Sequence, residues 1–138
     1  MEASGKLKVT INSFSFKRGI PYDPTGNGGG FVIDCRGILN PGRYERYAYL
    51  TGKDQEVIDF FHKNTVMHDF LKSAKDMVGI NIKNYLERGF KNLTISFGCT
   101  GGQHRSVYCA EWMADQVRKN YDVVVEVNHL ELPKIKDL

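Results

Sequence analysis

The chain has 138 residues, 41% of them hydrophobic and 25% charged, the proportions of one ordinary soluble globular domain; at this size about two-thirds of the unfolded surface is buried, enough for a core without staples. A balance of 19 basic against 16 acidic residues leaves +3, compatible with an anionic ligand but too small to define a nucleic-acid binder. The cysteines Cys35, Cys99 and Cys109 cannot all pair and lack Cys-x-x-Cys spacing, so neither a disulfide scaffold nor a metal site is expected.

Leu7 to Phe16 alternates apolar and polar residues, the period of a half-buried strand. Tyr22 to Gly30 is too rich in glycine for a helix or strand interior and reads as a mobile connector. Phe31-Val32-Ile33 reads as a short buried strand ending at Asp34. Thr51, with Asp54 three residues on, has the pattern of a helix N-cap, and Val57, Ile58 and Phe61 follow at helical spacing. A longer helix carries the stripe Val66, Met67, Phe70, Leu71, Ala74, Met77, Val78, Ile82, Tyr85 and Leu86. Gly89 suits its C-cap, Gly79 is a place where it bends or breaks, and the two methionines read as core filler. Leu93 to Phe97 predicts a third strand, Val107 to Val117 a third helix, Tyr121 to Val127 a fourth strand, and Pro133 to Leu138 a frayed tail.

Strands separated by helices predict an α/β fold, a mainly parallel sheet of about four strands flanked by about three helices, in a single domain over residues 1–138. Met1 to Lys8 lacks the apolar core of a signal peptide, and no run approaches a membrane span of ~20 apolar residues. The cytoplasm is therefore the expected compartment, and the Asn92-Leu93-Thr94 sequon carries no weight. His62, His68 and His129 show no metal spacing and read as surface or boundary residues. Cys109 reads as a small buried hydrophobe.

The chemically informative run is Gly98-Cys99-Thr100-Gly101-Gly102-Gln103-His104-Arg105-Ser106, passing from strand through glycines into a helix beginning near Gln103. Such a turn aims unpaired backbone N–H groups and the positive helix end at one point, an anion cradle. Gly98, Gly101 and Gly102 let the backbone close around a phosphate, Arg105 supplies charge, and His104 donates or accepts. A solvated tight turn is the plainer alternative. The spacing Cys99-x-x-Gly102-x-x-Arg105-Ser106 also fits the protein-tyrosine-phosphatase signature, with Cys99 as nucleophile and Arg105 as oxyanion clamp. Against this, Gly98 stands where that signature usually has histidine, and no general acid is evident.

Gly98 to Tyr108, followed by Ala110-Glu111, resembles the hallmark of the RapZ/YvcJ family in its C-terminal domain. Ser13-Phe14-Ser15-Phe16-Lys17-Arg18-Gly19-Ile20-Pro21 is similar to that family's Ser-Phe-Gly-Phe-Lys-x-Gly-Ile-Pro. Asp34-Cys35-Arg36-Gly37-Ile38-Leu39-Asn40-Pro41 resembles its Asp-x-Arg-Phe-x-x-Asn-Pro, and Leu50-Thr51-Gly52-Lys53-Asp54 its Leu-Thr-Gly-x-Asp. The resemblance implies a domain likened to part of phosphofructokinase, with an anion pocket that senses glucosamine-6-phosphate in adapter members, which also bind small regulatory RNAs. Carried over by motif, the pocket comprises Cys99, Thr100, Gly101, Gly102, His104 and Arg105, with Ser106 closing the run. Asp34, Arg36 and Asn40 stand opposite. Asp34 capping a turn and Arg36 pairing with Asp34 or Glu45 remain alternatives.

Family members carry a P-loop domain, but no Gly-x-x-x-x-Gly-Lys-Ser/Thr occurs in this sequence; it therefore reads as a freestanding domain for which an inherited ATP-binding label lacks residues. Gly42-Arg43-Tyr44 replaces the large ring residue that adapters carry after Asn-Pro. The segment from Asn128 to Leu138 is nearly charge-balanced where adapters are basic. The expectation is a non-catalytic domain that binds a phosphorylated small molecule and needs no cofactor. RNA contact is expected to be weak, through Lys17, Arg18, Arg43 and Arg46 near the pocket.

Overall fold

The computed structural model describes residues 5–26 and 29–134. In it the alternating first run becomes strand β1 (Lys8–Ser15). Phe31 to Ile33 lies inside β2 (Gly30–Asp34). Helices α1 (Gln55–Asn64) and α2 (Met67–Arg88) follow, then β3 (Asn92–Cys99), α3 (Arg105–Asn120) and β4 (Val124–His129). The sheet order is β2-β3-β1-β4, and every neighbouring pair is parallel. The chain is thus an α/β fold, with a four-stranded parallel sheet and three α-helices.

Side chains alternate across a strand, so each strand presents two different faces. Val9, Ile11, Leu93, Ile95 and Phe97 are essentially inaccessible and form one core with Met67, Leu71, Val78 and Ile82 of α2 and Ala110, Met113 and Val117 of α3. Burying a large aliphatic side chain contributes about 1.5–3 kcal/mol, so this face supplies most of the driving force. The same core contains a cluster of sulfur atoms. Cys35 Sγ lies 3.6 Å from Cys109 Sγ, which lies 3.6 Å from Met67 Sδ. All three cysteines are buried and unpaired.

The opposite positions, Thr10, Asn12, Thr94, Ser96, Glu126 and Asn128, are polar. Parallel sheets usually have helices on both faces; here the second face meets the connection from β1 to β2. Residues Pro21 to Thr25 wall a cavity of about 330 Å3 together with Lys8, Asn12, Glu126 and Asn128. The amides of that face satisfy one another across strands: Asn12 Nδ2 donates to Ser96 Oγ and Asn128 Nδ2 to Asn12 Oδ1, each at 3.1 Å.

Five local expectations change. The strand of Phe31, Val32 and Ile33 is an edge strand rather than a buried one, with Val32 50% exposed. Thr51 does not cap α1. Its backbone N–H donates to Asp54 Oδ2 at 2.7 Å in a turn, and Asp54 occupies the N-cap position before Gln55. Helix α2 runs unbroken through Gly79, where a Cβ would stand 2.7 Å from Tyr121 Oη, so the missing side chain makes room for the tyrosine. Met67 is core, but Met77 is 48% exposed, and Val66 and Leu86 are exposed as well. The apolar stripe is narrower than the sequence implies because α2 meets its neighbours along Met67, Leu71, Ala74, Val78 and Ile82. Tyr121 belongs to the end of α3 rather than to β4. Of the connector, Asn27 and Gly28 lie outside the described residues, as does most of the tail. Among the described residues no helix is long and apolar enough to cross a membrane.

Candidate functional site: the turn from β3 into α3

Parallel pairing of β1 and β3 brings Ser15 beside Cys99 at the carboxyl end of the sheet. Ser15 Oγ donates to Thr100 O at 2.5 Å and accepts from Lys17 N at 3.1 Å, tying the two loop starts together. The chain then turns through Gly102, at φ +71°, a left-handed conformation that a side chain would strain. A Cβ there would also stand 2.6 Å from Glu131 Cγ. His104 is the N-cap residue and the helix begins at Arg105, two residues beyond expectation.

Several donors of this turn are aimed inward. The backbone N–H groups of Gly102 and Ser106 point at Cys99 Sγ, at 3.3 and 3.5 Å, and the thiol donates to Ser106 Oγ at 3.1 Å. Gly98 lies within β3 beneath Phe14 and Phe16, where a Cβ would meet both rings at 2.5 Å. Its place is thus explained by packing. Gly101 and Thr100 are exposed.

Arg105 is 5% exposed. Its Nη1 donates to Arg36 O at 2.8 Å and Ile38 O at 2.9 Å, and its Nη2 makes a long contact of 3.4 Å with Thr100 Oγ1. The guanidinium therefore pins the segment after β2 against the turn. Among the described residues, Arg105 Nε is the buried side-chain N or O atom with no hydrogen-bond partner. His104 donates from Nε2 to Tyr47 O at 2.9 Å; the carbonyl, able only to accept, places the proton on Nε2. Burial holds the His104 pKa below its ordinary value.

Asp34 and Arg36 engage each other. Arg36 Nε and Nη2 grip the carboxylate at 2.7 to 3.1 Å, and Arg36 N donates to Asp34 Oδ1. This grip, chiefly the side-chain hydrogen bonds from Arg36, lowers the Asp34 pKa. The Arg36 guanidinium also stacks 3.9 Å above Phe16. Asn40 caps the 3-10 turn Pro41–Arg43 by accepting from Gly42 N. Arg18 pairs with Glu131 at 3.4 Å, and Arg46 stacks over Tyr47. Lys17 and Arg43 are exposed.

Three contributors escaped the sequence reading. Gln103 Nε2 donates to Ala48 O and Leu50 O. Gly52 lies so close to the start of α3 that a Cβ would stand 2.3 Å from His104 O and 2.4 Å from Tyr108 N. Glu131 is buried against Gly102 and pairs with Arg18 and Lys134. The Leu-Thr-Gly-x-Asp likeness was a signal for Gly52; nothing local marked Glu131. His129, read as a boundary residue, links three elements: its Nδ1 lies 2.7 Å from Ser13 Oγ and its Nε2 2.6 Å from Glu111 Oε2. The phosphatase alternative gains no support, because Cys99 is 2% exposed and Asp34 is committed to Arg36.

Fold and site together define a small parallel α/β domain with a glycine turn feeding a buried arginine at a helix start. The model of the family described as the RapZ C-terminal domain matches residues 7–133, and the chain belongs to that family, which makes it a RapZ-type binding or regulatory domain. It is 37% identical over 135 residues to a nucleotide-binding protein of Thermotoga neapolitana, covering 98% of this chain and 46% of that protein. It is 38% identical over 126 residues to one of Bacillus velezensis, covering 91% and 40%, and 40% identical over 114 residues to one of Caldicellulosiruptor saccharolyticus, covering 83% and 37%. The chain thus spans less than half the length of these relatives.

Proposed function

We propose that the domain binds a phosphorylated small molecule, of the amino-sugar phosphate class, at the turn from Gly98 to Ser106, and does not turn it over. The observation that carries this reading is the Arg105 Nε–H: a buried, charged donor without an acceptor is costly, and it sits at the amino end of a 16-residue helix. An anionic oxygen there would satisfy the donor and the helix end together. Thr100 and Gly101, both exposed, give the ligand a way in. Asp34, Arg36 and Asn40 lie on the segment that Arg105 ties to the turn through the carbonyls of Arg36 and Ile38, which supports them as the opposite wall of such a site. The relatives' name directs attention to nucleotides as well. This sequence has no P-loop lysine to hold a triphosphate.

The test is calorimetric titration with glucosamine-6-phosphate, glucose-6-phosphate, inorganic phosphate and ATP. At least one of the first three should bind, and Arg105→Ala should weaken it by about 1.5–3 kcal/mol, the scale of a hydrogen bond to a charged group. Equal binding by the folded variant, or a preference for ATP alone, would sink the assignment. A second reading, RNA contact, is favoured by one observation: Tyr44 and Tyr49 are 42% and 67% exposed in the segment that carries Arg43 and Arg46. Exposed rings between basic residues are the pattern on which unpaired bases stack.

A further inference from the structure

We propose that His62 and His68 form a site for one divalent transition-metal ion of the zinc, nickel or copper kind. His62 lies in the last turn of α1 and His68 in the first turn of α2. Two residues, Thr65 and Val66, join the helices, and Thr65 fixes that corner. Its Oγ1 donates to Phe61 O at 2.7 Å and accepts from Met67 N at 3.1 Å. The corner brings both Nε2 atoms to 3.3 Å from each other, with ring centroids 4.1 Å apart. Two nitrogens bound tetrahedrally at the usual zinc distance lie about 3.3–3.4 Å apart, so the existing spacing already matches an edge of the coordination polyhedron. Imidazole nitrogen is a donor that zinc, nickel and copper prefer and that magnesium and calcium do not.

In the metal-free pair one Nε2 must donate a proton to the other. Metal binding requires a lone pair on both, which each exposed ring provides by carrying its proton on Nδ1 toward water; no net proton is released by that tautomer change. With ring centroids only 4.1 Å apart the two lone pairs do not yet meet at one point, and both exposed rings swing apart to bring them onto the metal. Tyr108 Oη lies 3.3 Å from His62 Nε2, on a buried ring packed against Phe61. It borders the site as a hydrogen-bonding neighbour of His62. Among the described residues no third histidine, cysteine or carboxylate converges there. Water must complete the shell, so the site is an open, exchangeable one.

The experiment is a zinc titration of the full chain in a non-thiol reductant, followed by calorimetry and by imidazole 15N shifts. One equivalent should bind, moving the ring nitrogens of His62 and His68. His62→Ala and His68→Ala should each weaken binding by about tenfold or more, since each removes one of two protein bonds to the metal. Tyr108→Phe should leave it unchanged. The proposal fails if the wild-type chain binds no zinc. It also fails if the double histidine variant binds as tightly, or if the shifts fall on His129 instead. The ring shifts are read on the unmodified protein, so the outcome does not depend on a variant folding.

Discussion

His104 shows how a single buried side chain writes itself into the pH dependence of the whole protein. Its Nε2–H is given to Tyr47 O, and burial keeps the folded-state pKa below the ordinary 6.5. The unfolded chain therefore takes up this proton first. The stability associated with neutral His104 is complete above about pH 6.5 and is lost as the pH falls through the lower folded-state value. The melting temperature of the wild type should drop more between about pH 7.5 and 5 than that of His104→Gln, whose amide can still donate to Tyr47 O. Parallel slopes in scanning calorimetry would contradict this. Arg105 differs in kind. Its charge serves two carbonyls of its own chain before any ligand, so a loss of stability on its removal must be measured alongside a loss of binding.

At the scale of elements, the start of α3 is clamped from the side by the turn before α1. Gly52 N donates to Gln103 O at 3.0 Å, and Gln103 returns two bonds to Ala48 O and Leu50 O. Because the atoms nearest a Cβ at Gly52 are backbone, they cannot swing aside. Gly52→Ala should cost about 1–3 kcal/mol, the range for overpacking, measured by urea denaturation. It should also weaken ligand binding at the turn. The four strands, the three helices and the glycine turn were legible in the residues because they rest on local periodicity and on glycine placement. What was not legible lies between residues far apart in sequence. Asp34 and Arg36, two apart, were read first as pocket residues, with their pairing as the alternative that the structure shows. Gly52 against His104 and Glu131 against Gly102 depend on how distant segments dock, which no window of a dozen residues encodes; His62 and His68 are only six apart, but their meeting depends on the corner between α1 and α2, which helical periodicity does not show. The helix start slipped by two residues because His104 makes no side-chain cap bond, so no capping residue marks it.

For the whole molecule, charge is the quantity that decides what kind of polyanion it can hold. A net charge of +3 is small, and part of the basic set is already engaged: Arg36 with Asp34, Arg18 with Glu131, and Arg105 with backbone. Few phosphates can be neutralised at once. Binding to structured RNA should therefore be weak and should fade between about 50 and 200 mM salt in a mobility-shift assay. Salt-resistant, sequence-selective binding would show that base contacts, rather than phosphate charge, dominate. Competition by glucosamine-6-phosphate would place RNA and sugar phosphate on overlapping surfaces.

The sulfur cluster behind the sheet has a kinetic consequence. Cys35, Cys99 and Cys109 are each at most 2% exposed, and burial pushes the Cys109 thiol well above its ordinary pKa. A thiol reagent finds no access to any of the three while the fold is closed. Alkylation of this protein is thus a built-in timer: with reagent in excess, the rate of modification reads out how often the core opens, residue by residue, without any added label.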